Sequence, residues 1–258
     1  MSAELQAEAT DVVASASVEW VDSLPSTNAE LARRVARGEA LAVGHVLAAR
    51  EQTAGRGRLE RIWTSGAGSD LTFSLFWSSE PPIRMVSLPM TLALGVVELL
   101  AGFGIEAHTK WPNDVLVDGS KICGLLAECV ADAAGDPAGV VVGVGLNINM
   151  SAAEAAAIGR PVTSIQLLTA TEPSPAAVLE RLIPLLWRRL AQWQRGGFEA
   201  LRPEWERHAV WRDHPVEVQT ETGPLCGILR GYGSSGQLLL ESDGRVEEIW
   251  SAELLRPL

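Results

Sequence analysis

The stretch T-K-W-P-N-D-V-L-V-D-G-S-K-I-C-G-L-L-A-E-C-V, residues 109–130, decides the fold. Asp118-Gly119 separates two apolar runs, a strong hairpin signal because both central residues of the favoured turn need positive φ. Working outward, G-V-V-V-G-V-G-L-N-I-N at 139–149 reads as a deeply buried strand. Upstream, residues 18–22, 45–50 and 71–77 are strand candidates, the last mixing β-branched and aromatic residues. Between the first two, S-T-N-A-E-L-A-R-R-V-A-R-G opens a helix, with Thr27 and Glu30 at capping-box spacing and Gly38 as the C′ glycine. Residues 89–100 are apolar nearly all round, which predicts a buried helix ended by Gly102 and Gly104. A third helix is framed by Ser174 as N-cap, Pro175 at N1 and Gly196 at C′. Pro184 inside it predicts a kink or a later start.

The last fifty residues differ in texture. P-V-E-V-Q-T, L-C-G-I-L-R-G-Y, Q-L-L-L-E-S and R-V-E-E-I-W are four short strand candidates separated by tight turns. They describe a small antiparallel barrel. The chain therefore divides into an acidic, poorly ordered tail at 1–17, a main domain at 18–208 and a C-terminal domain at 211–258.

The 258 residues carry a net charge of −11, which disfavours a surface that tracks nucleic-acid phosphates. Of the 21 basic residues only Lys110 and Lys121 are lysines. Cys123, Cys129 and Cys226 form no C-x-x-C pair, so zinc and disulfide frameworks lack support. The acidic N-terminus is unlike a signal peptide, and no apolar run approaches a membrane span. A cytoplasmic location with no membrane partner is expected.

Three stretches carry candidate chemistry. In G-R-G-R-L-E-R-I-W, residues 55–63, glycines let backbone amides approach an anion, and Arg56, Arg58 and Arg61 add forked donors. The plainer reading is an Arg-rich surface loop. In K-W-P-N-D, Pro112 breaks any strand and presents Asn113 and Asp114 at a strand end. Their oxygens suit Mg²⁺ and Lys110 suits a phosphate, against the plainer reading of an Asx turn. In S-K-I-C-G, Lys121 starts a strand and Gly124 hints at a close approach by a ligand or neighbour. G-V-G-L-N lacks the third glycine of a dinucleotide fingerprint, and Asn147, in its place, is either a hydrogen-bonded end cap or a base-edge reader.

Taken in order, S-T-N at 26–28, Q-T-A-G-R-G-R at 52–58, Trp63, K-W-P-N-D at 110–114, K-I-C-G-L-L-A-E at 121–128 and G-V-G-L-N-I-N at 143–149 resemble the biotin protein ligases, of the monofunctional type without an N-terminal helix-turn-helix domain. The resemblance covers residues 20–256. It implies an α+β fold, a mixed β-sheet flanked by helices related to the lipoate ligases, followed by an SH3-like barrel. It implies activation of biotin by Mg·ATP to biotinyl-5′-AMP and transfer of biotin to a lysine of a biotin carboxyl carrier domain. By the same resemblance Ser26, Thr27, Asn28, Gln52, Gly55, Arg56, Gly57, Arg58 and Lys121 would bind biotin, and Lys121 and Arg58 would be catalytic. Arg58, Arg61, Trp63, Lys110, Asn113, Asp114 and Asn147 would serve ATP, with Asp114 on Mg²⁺.

Two positions depart from the family pattern. Leu59-Glu60 stand where the family loop often has a residue followed by glycine, and Cys123 stands where a small alanine is common. No operator DNA binding is expected, and family members dimerise through exposed sheet edges, which leaves a homodimer open. The rivals are a lipoate or octanoate ligase of the same fold and a non-catalytic biotin-sensing module.

Overall fold

A computed structural model describes residues 18–66, 68–78 and 87–258; the stretch 1–17, expected to be a tail, lies outside the described residues. β1 (Val18–Leu24) leads through helix α1 (Thr27–Ala36) to β2 (Val46–Gln52), and the two strands pair in parallel. A parallel pair needs a crossover, and α1 supplies it. After a 3₁₀ turn at Arg58–Glu60 come β3 (Leu71–Trp77), helix α2 (Leu88–Ala101), β4 (His108–Lys110), β5 (Asp114–Val117), β6 (Ser120–Ala131) and β7 (Pro137–Leu146). These strands form one mixed sheet of order β1-β2-β3-β7-β6-β5-β4, antiparallel except at the β1–β2 pair. The hairpin turn is as expected, with φ of 47° at Asp118 and 77° at Gly119.

Alternation along the strands sorts the side chains onto two faces. Val46, Ala48, Phe73, Leu75, Val142 and Val144 join the larger core, covered by α2 and, farther along the chain, by α5 (Pro175–Gly196). Leu47, Phe76 and Val141 face the other way, onto Leu31 and Val35 of α1. Leu31 is wholly buried, and removing such a leucine from water contributes about 1.5–3 kcal/mol. The short helices α3 (Ala152–Ala157) and α4 (Ile165–Thr169) precede α5, and α6 (Arg202–His208) follows it.

The C-terminal region is a second, antiparallel sheet: β8 (Pro215–Thr220), β9 (Gly223–Tyr232), β10 (Leu238–Ser242), β11 (Arg245–Ile249) and β12 (Glu253–Pro257), in order β11-β10-β9-β8-β12. It carries one strand more than the four expected, because the final segment returns to pair with β8. The overall class is the mixed sheet with flanking helices and a small C-terminal β unit anticipated from the sequence.

Three local expectations need correction. Ser26, not Thr27, caps α1, its hydroxyl accepting from the Ala29 amide at 3.4 Å, because Thr27 is drawn to Gln52 instead. Helix α5 starts at Pro175, not later, and continues through Pro184; Pro184 sits on the exposed side, where water can serve the Glu180 carbonyl. Gly196 lies within that helix, and Gly197, at φ 64° and ψ −166°, is the cap, a conformation open essentially to glycine alone.

Candidate active site

Strand register sets out the face of the sheet on which the expected site residues gather. Residues directly opposite in an antiparallel pair share a face. Ser74 pairs with Gly143, Gly143 with Leu126, Gly145 with Gly124, and Glu128 with Val141, all on the side covered by α1. At the start of this helix Thr27 donates twice to Gln52 Oε1, from its backbone N at 2.7 Å and from Oγ1 at 3.1 Å. The fully buried Ser74 hydroxyl lies 2.6 Å from both Thr27 Oγ1 and Asn28 Oδ1. Asn28 Nδ2 donates to the Leu126 carbonyl at 3.1 Å and to Glu128 Oε2 at 2.7 Å. Ser26, Thr27, Asn28 and Gln52 thus form a hydrogen-bonded polar floor.

The glycines of G-V-G-L-N have a steric purpose here. A Cβ at Gly143 would come within 2.4 Å of Asn28 Oδ1, and one at Gly145 within 2.3 Å of the Trp63 ring. Glycine is the residue that lets the floor and the tryptophan lie flat on the sheet.

Lys121 reaches this face through an irregularity. Val115 pairs with Cys123 but Leu116 pairs with Lys121, so Ile122 is an extra residue, a β-bulge. Ile122 and Cys123 both enter the larger core, and Lys121 is returned to the side of Gly124. There its Nζ lies 2.6 Å from Asp114 Oδ1 and 5.6 Å from the centre of the Trp63 ring. Burial drives the Cys123 thiol far above its usual pKa, so it is no nucleophile.

The 55–63 stretch folds back on itself, with an antiparallel bridge between Arg56 and Ile62 and a 2.7 Å bond from the Gly57 amide to the Arg61 carbonyl. Leu59 takes φ 54°, ψ 43°, a left-handed conformation. All three arginines have partners. Arg56 donates to Glu128 at 3.0 Å, Arg58 to the Ala252 carbonyl at 3.1 Å, and Arg61 grips both oxygens of Glu253 at 2.6 and 2.7 Å. Burial pushes the Glu253 carboxyl up, but Arg61, with Lys110 and Arg58 beyond it, outweighs this and holds it below the usual range.

These groups line one open cleft. Of the expected residues it brings together Ser26, Thr27, Asn28, Gln52, Arg56, Gly57, Arg58, Arg61, Trp63, Lys110, Asn113, Asp114 and Lys121. Gly55 stands behind the loop, where a Cβ would strike the Trp63 carbonyl at 2.6 Å. Lys110 is held over the Trp211 ring at 5.5 Å, and burial lowers its pKa. Asn113 Nδ2 donates to the Leu125 carbonyl. Asn147 is buried outside the cleft lining. Its Nδ2 donates to the Thr163 carbonyl at 3.0 Å and fastens the 161–163 segment, which runs beside Lys121.

Phe73, Ser74, Glu128, Arg160 and Glu253 belong to the site but were not among the residues singled out in the sequence. Ser74 had a signal, as one of two hydroxyl residues, with Thr72, in an apolar and aromatic strand, and Glu128 ends a motif already singled out. Glu253 is 192 positions from Arg61, and no local pattern marks it.

The match to known proteins is consistent with this geometry. The family model of the biotin/lipoate A/B protein ligases matches residues 20–147. The biotin–[acetyl-CoA-carboxylase] ligase of Paracoccus denitrificans is 33% identical over 235 residues, covering 89% of this chain and 96% of that protein. The chain belongs to the biotin/lipoate ligase family. The bifunctional ligase/repressor BirA of Bacillus spizizenii is 29% identical over 82% of this chain, which spans 66% of that relative's length. Among solved structures, a point mutant of the Aquifex aeolicus biotin protein ligase in complex with biotin superposes with a TM-score of 0.78 at 26% identity, covering 93% of this chain and 98% of that one. Among the described residues no helix is long and apolar enough to cross a membrane.

Proposed function

We propose that this chain is an ATP-dependent biotin protein ligase, which forms biotinyl-5′-AMP and passes biotin to a lysine of a carboxyl carrier domain. The observation that supports it best is the continuity of the cleft. One end is the pre-oriented polar floor of Ser26, Thr27, Asn28 and Gln52, and the other gathers Arg58, Lys110 and Lys121. A bicyclic urea needs fixed donors and acceptors around its ring, and its carboxylate must then meet the α-phosphate. The floor suits the first task and the cations the second, and both line the same cleft. The S-T-N, G-R-G-R and K-W-P-N-D runs resemble those of the biotin ligases, which favours biotin over lipoate or octanoate.

In the first step a biotin carboxylate oxygen attacks the α-phosphorus, the mixed anhydride forms and pyrophosphate leaves. Two anions are brought together, so the barrier falls through cations set where charge develops. Lys121 and Arg58 are those cations. In the second step the acceptor amine attacks the acyl carbon, an amide forms and AMP leaves, with the amine proton passing to solvent or the leaving phosphate. Mg²⁺ enters as part of the nucleotide substrate. Asp114 is the residue suited to it, since one or two carboxylates plus phosphate oxygens commonly suffice, once Lys121 turns to the ligand. A cytoplasmic setting goes with this reading.

Incubation with biotin, ATP, Mg²⁺ and a carrier domain tests it. Biotin on the carrier lysine is the expected result. Adenylate formation without transfer would favour a biotin-sensing module, and activity with lipoate alone would favour the rival ligase.

A further inference from the structure

We propose that Glu128 is a positioning residue for biotin capture, its carboxylate pinning the Asn28 amide of the floor and the Arg56 guanidinium of the loop at the same time. The proposal rests on the biotin reading above. Glu128 Oε2 accepts from Asn28 Nδ2 at 2.7 Å, and both of its oxygens accept from Arg56 Nη2, at 3.0 and 3.2 Å. A carboxylate has acceptor sites enough for both partners. The Asn28 amide is spent within the protein, on Ser74, Leu126 and Glu128. It therefore acts by holding its neighbours, and Glu128 extends that hold across to the loop.

The pair is poorly suited to a stabilising role. The Arg56 and Glu128 side chains are 52% and 32% exposed, and ion pairs so open to water contribute little to folding. Holding the loop over the floor before ligand arrives lowers the ordering cost of binding. Two opposite signs follow for alternative roles. If Arg56 were the counterion of the biotin carboxylate, removing Glu128 would free it and tighten binding. If Glu128 is a clasp, removing it loosens binding. In addition, Arg56→Ala leaves the Glu128 charge unbalanced beside an anion site, so Glu128→Gln should recover part of that loss.

The test is biotin-dependent pyrophosphate release from the full chain for the wild type, Glu128→Gln, Arg56→Ala and the double variant, with KM for biotin and ATP and kcat measured separately. Each single variant should raise KM for biotin about tenfold, the size of one lost charged hydrogen bond, with KM for ATP and kcat little changed. The double variant should be no worse than Arg56→Ala. Glu128→Asp, too short to serve both partners, should show the same rise and stands in should Glu128→Gln unfold. Multiplied losses in the double variant, a lowered KM in Glu128→Gln, or an unchanged KM with a fallen kcat would overturn the inference while leaving the biotin reading intact. A wild-type chain inert with biotin would overturn both.

Discussion

Lys121 Nζ and Asp114 Oδ1 lie 2.6 Å apart, each about a fifth exposed, across the β5–β6 pair. The cation that the proposed chemistry needs is thus stored on a carboxylate. A short, partly buried pair of this kind holds both groups in place and exchanges one anion for another when the ligand enters.

Lys121→Ala should slow adenylate formation by about 2–4 kcal/mol, roughly 30- to 1,000-fold, because it removes a cation most needed in the transition state and strands Asp114 beside an anionic ligand. Single-turnover pyrophosphate release measures this. Lys121→Arg should also impair the step although it keeps the charge. The site above Gly124 is tight, with Nζ 2.7 Å from where a Cβ would stand, and a planar fork does not fit where a point charge does. Full activity in Lys121→Arg would refute that reading.

Gly145→Ala should displace Trp63, whose ring atoms would lie 2.3 Å from the new carbon. Overpacking of this kind costs about 1–3 kcal/mol, or 5- to 150-fold in ligand affinity if the tryptophan gives way. Calorimetric titration with biotin and ATP, beside circular dichroism to verify the fold, would show it. Wild-type affinity for both ligands would mean that Trp63 is not part of the binding surface.

Leu59 bears a left-handed backbone at 66% exposure, so it combines conformational strain with little packing gain. Leu59→Gly should raise stability by about 1 kcal/mol or less, the relief of strain being partly offset by the greater freedom of glycine in the unfolded chain. Thermal unfolding reads the sign, and a lowered Tm would count against strain at this position.

The Arg61–Glu253 pair carries a pH dependence of definite sign. The Glu253 carboxyl titrates below its usual value of 4.5 in the folded chain, so its contribution to stability is present above that value. It is lost as pH falls through the lower folded value. Glu253→Gln should therefore flatten the acid limb of the stability curve below about pH 4.5 and leave the neutral plateau lower. Denaturant unfolding at a series of pH values reports both; an acid limb identical to wild type would show the pair to be inert.

Much of the site was legible because its chemistry is carried by short runs. S-T-N, G-R-G-R and K-W-P-N-D each keep their residues together, and all three runs line one cleft. What escaped reading was the part that depends on long-range pairing. Glu253 meets Arg61 because β12 returns to β8, and Trp111 Nε1 donates to the Gly236 carbonyl at 2.9 Å, so the second sheet closes one wall of the cleft. Asn147 shows a different limit: its type and place suited either an end cap or a contact with ligand, and the structure shows it buried with Nδ2 on the Thr163 carbonyl. Local caps such as Ser26 were misplaced by one residue because Gln52, distant in sequence, competed for Thr27.

The interval between Lys121 and Gly124 is odd, and oddness matters on a strand. Two side chains three positions apart meet in a helix; on a regular strand an odd interval sends them to opposite sides. Here they meet on a strand, and Ile122 is the added residue that reverses the parity. K-x-x-G is thus a count as well as a pair of letters. An insertion or deletion between these residues would shift the lysine along the strand or turn it into the core, and would cost the site more than a change in the identity of either intervening residue.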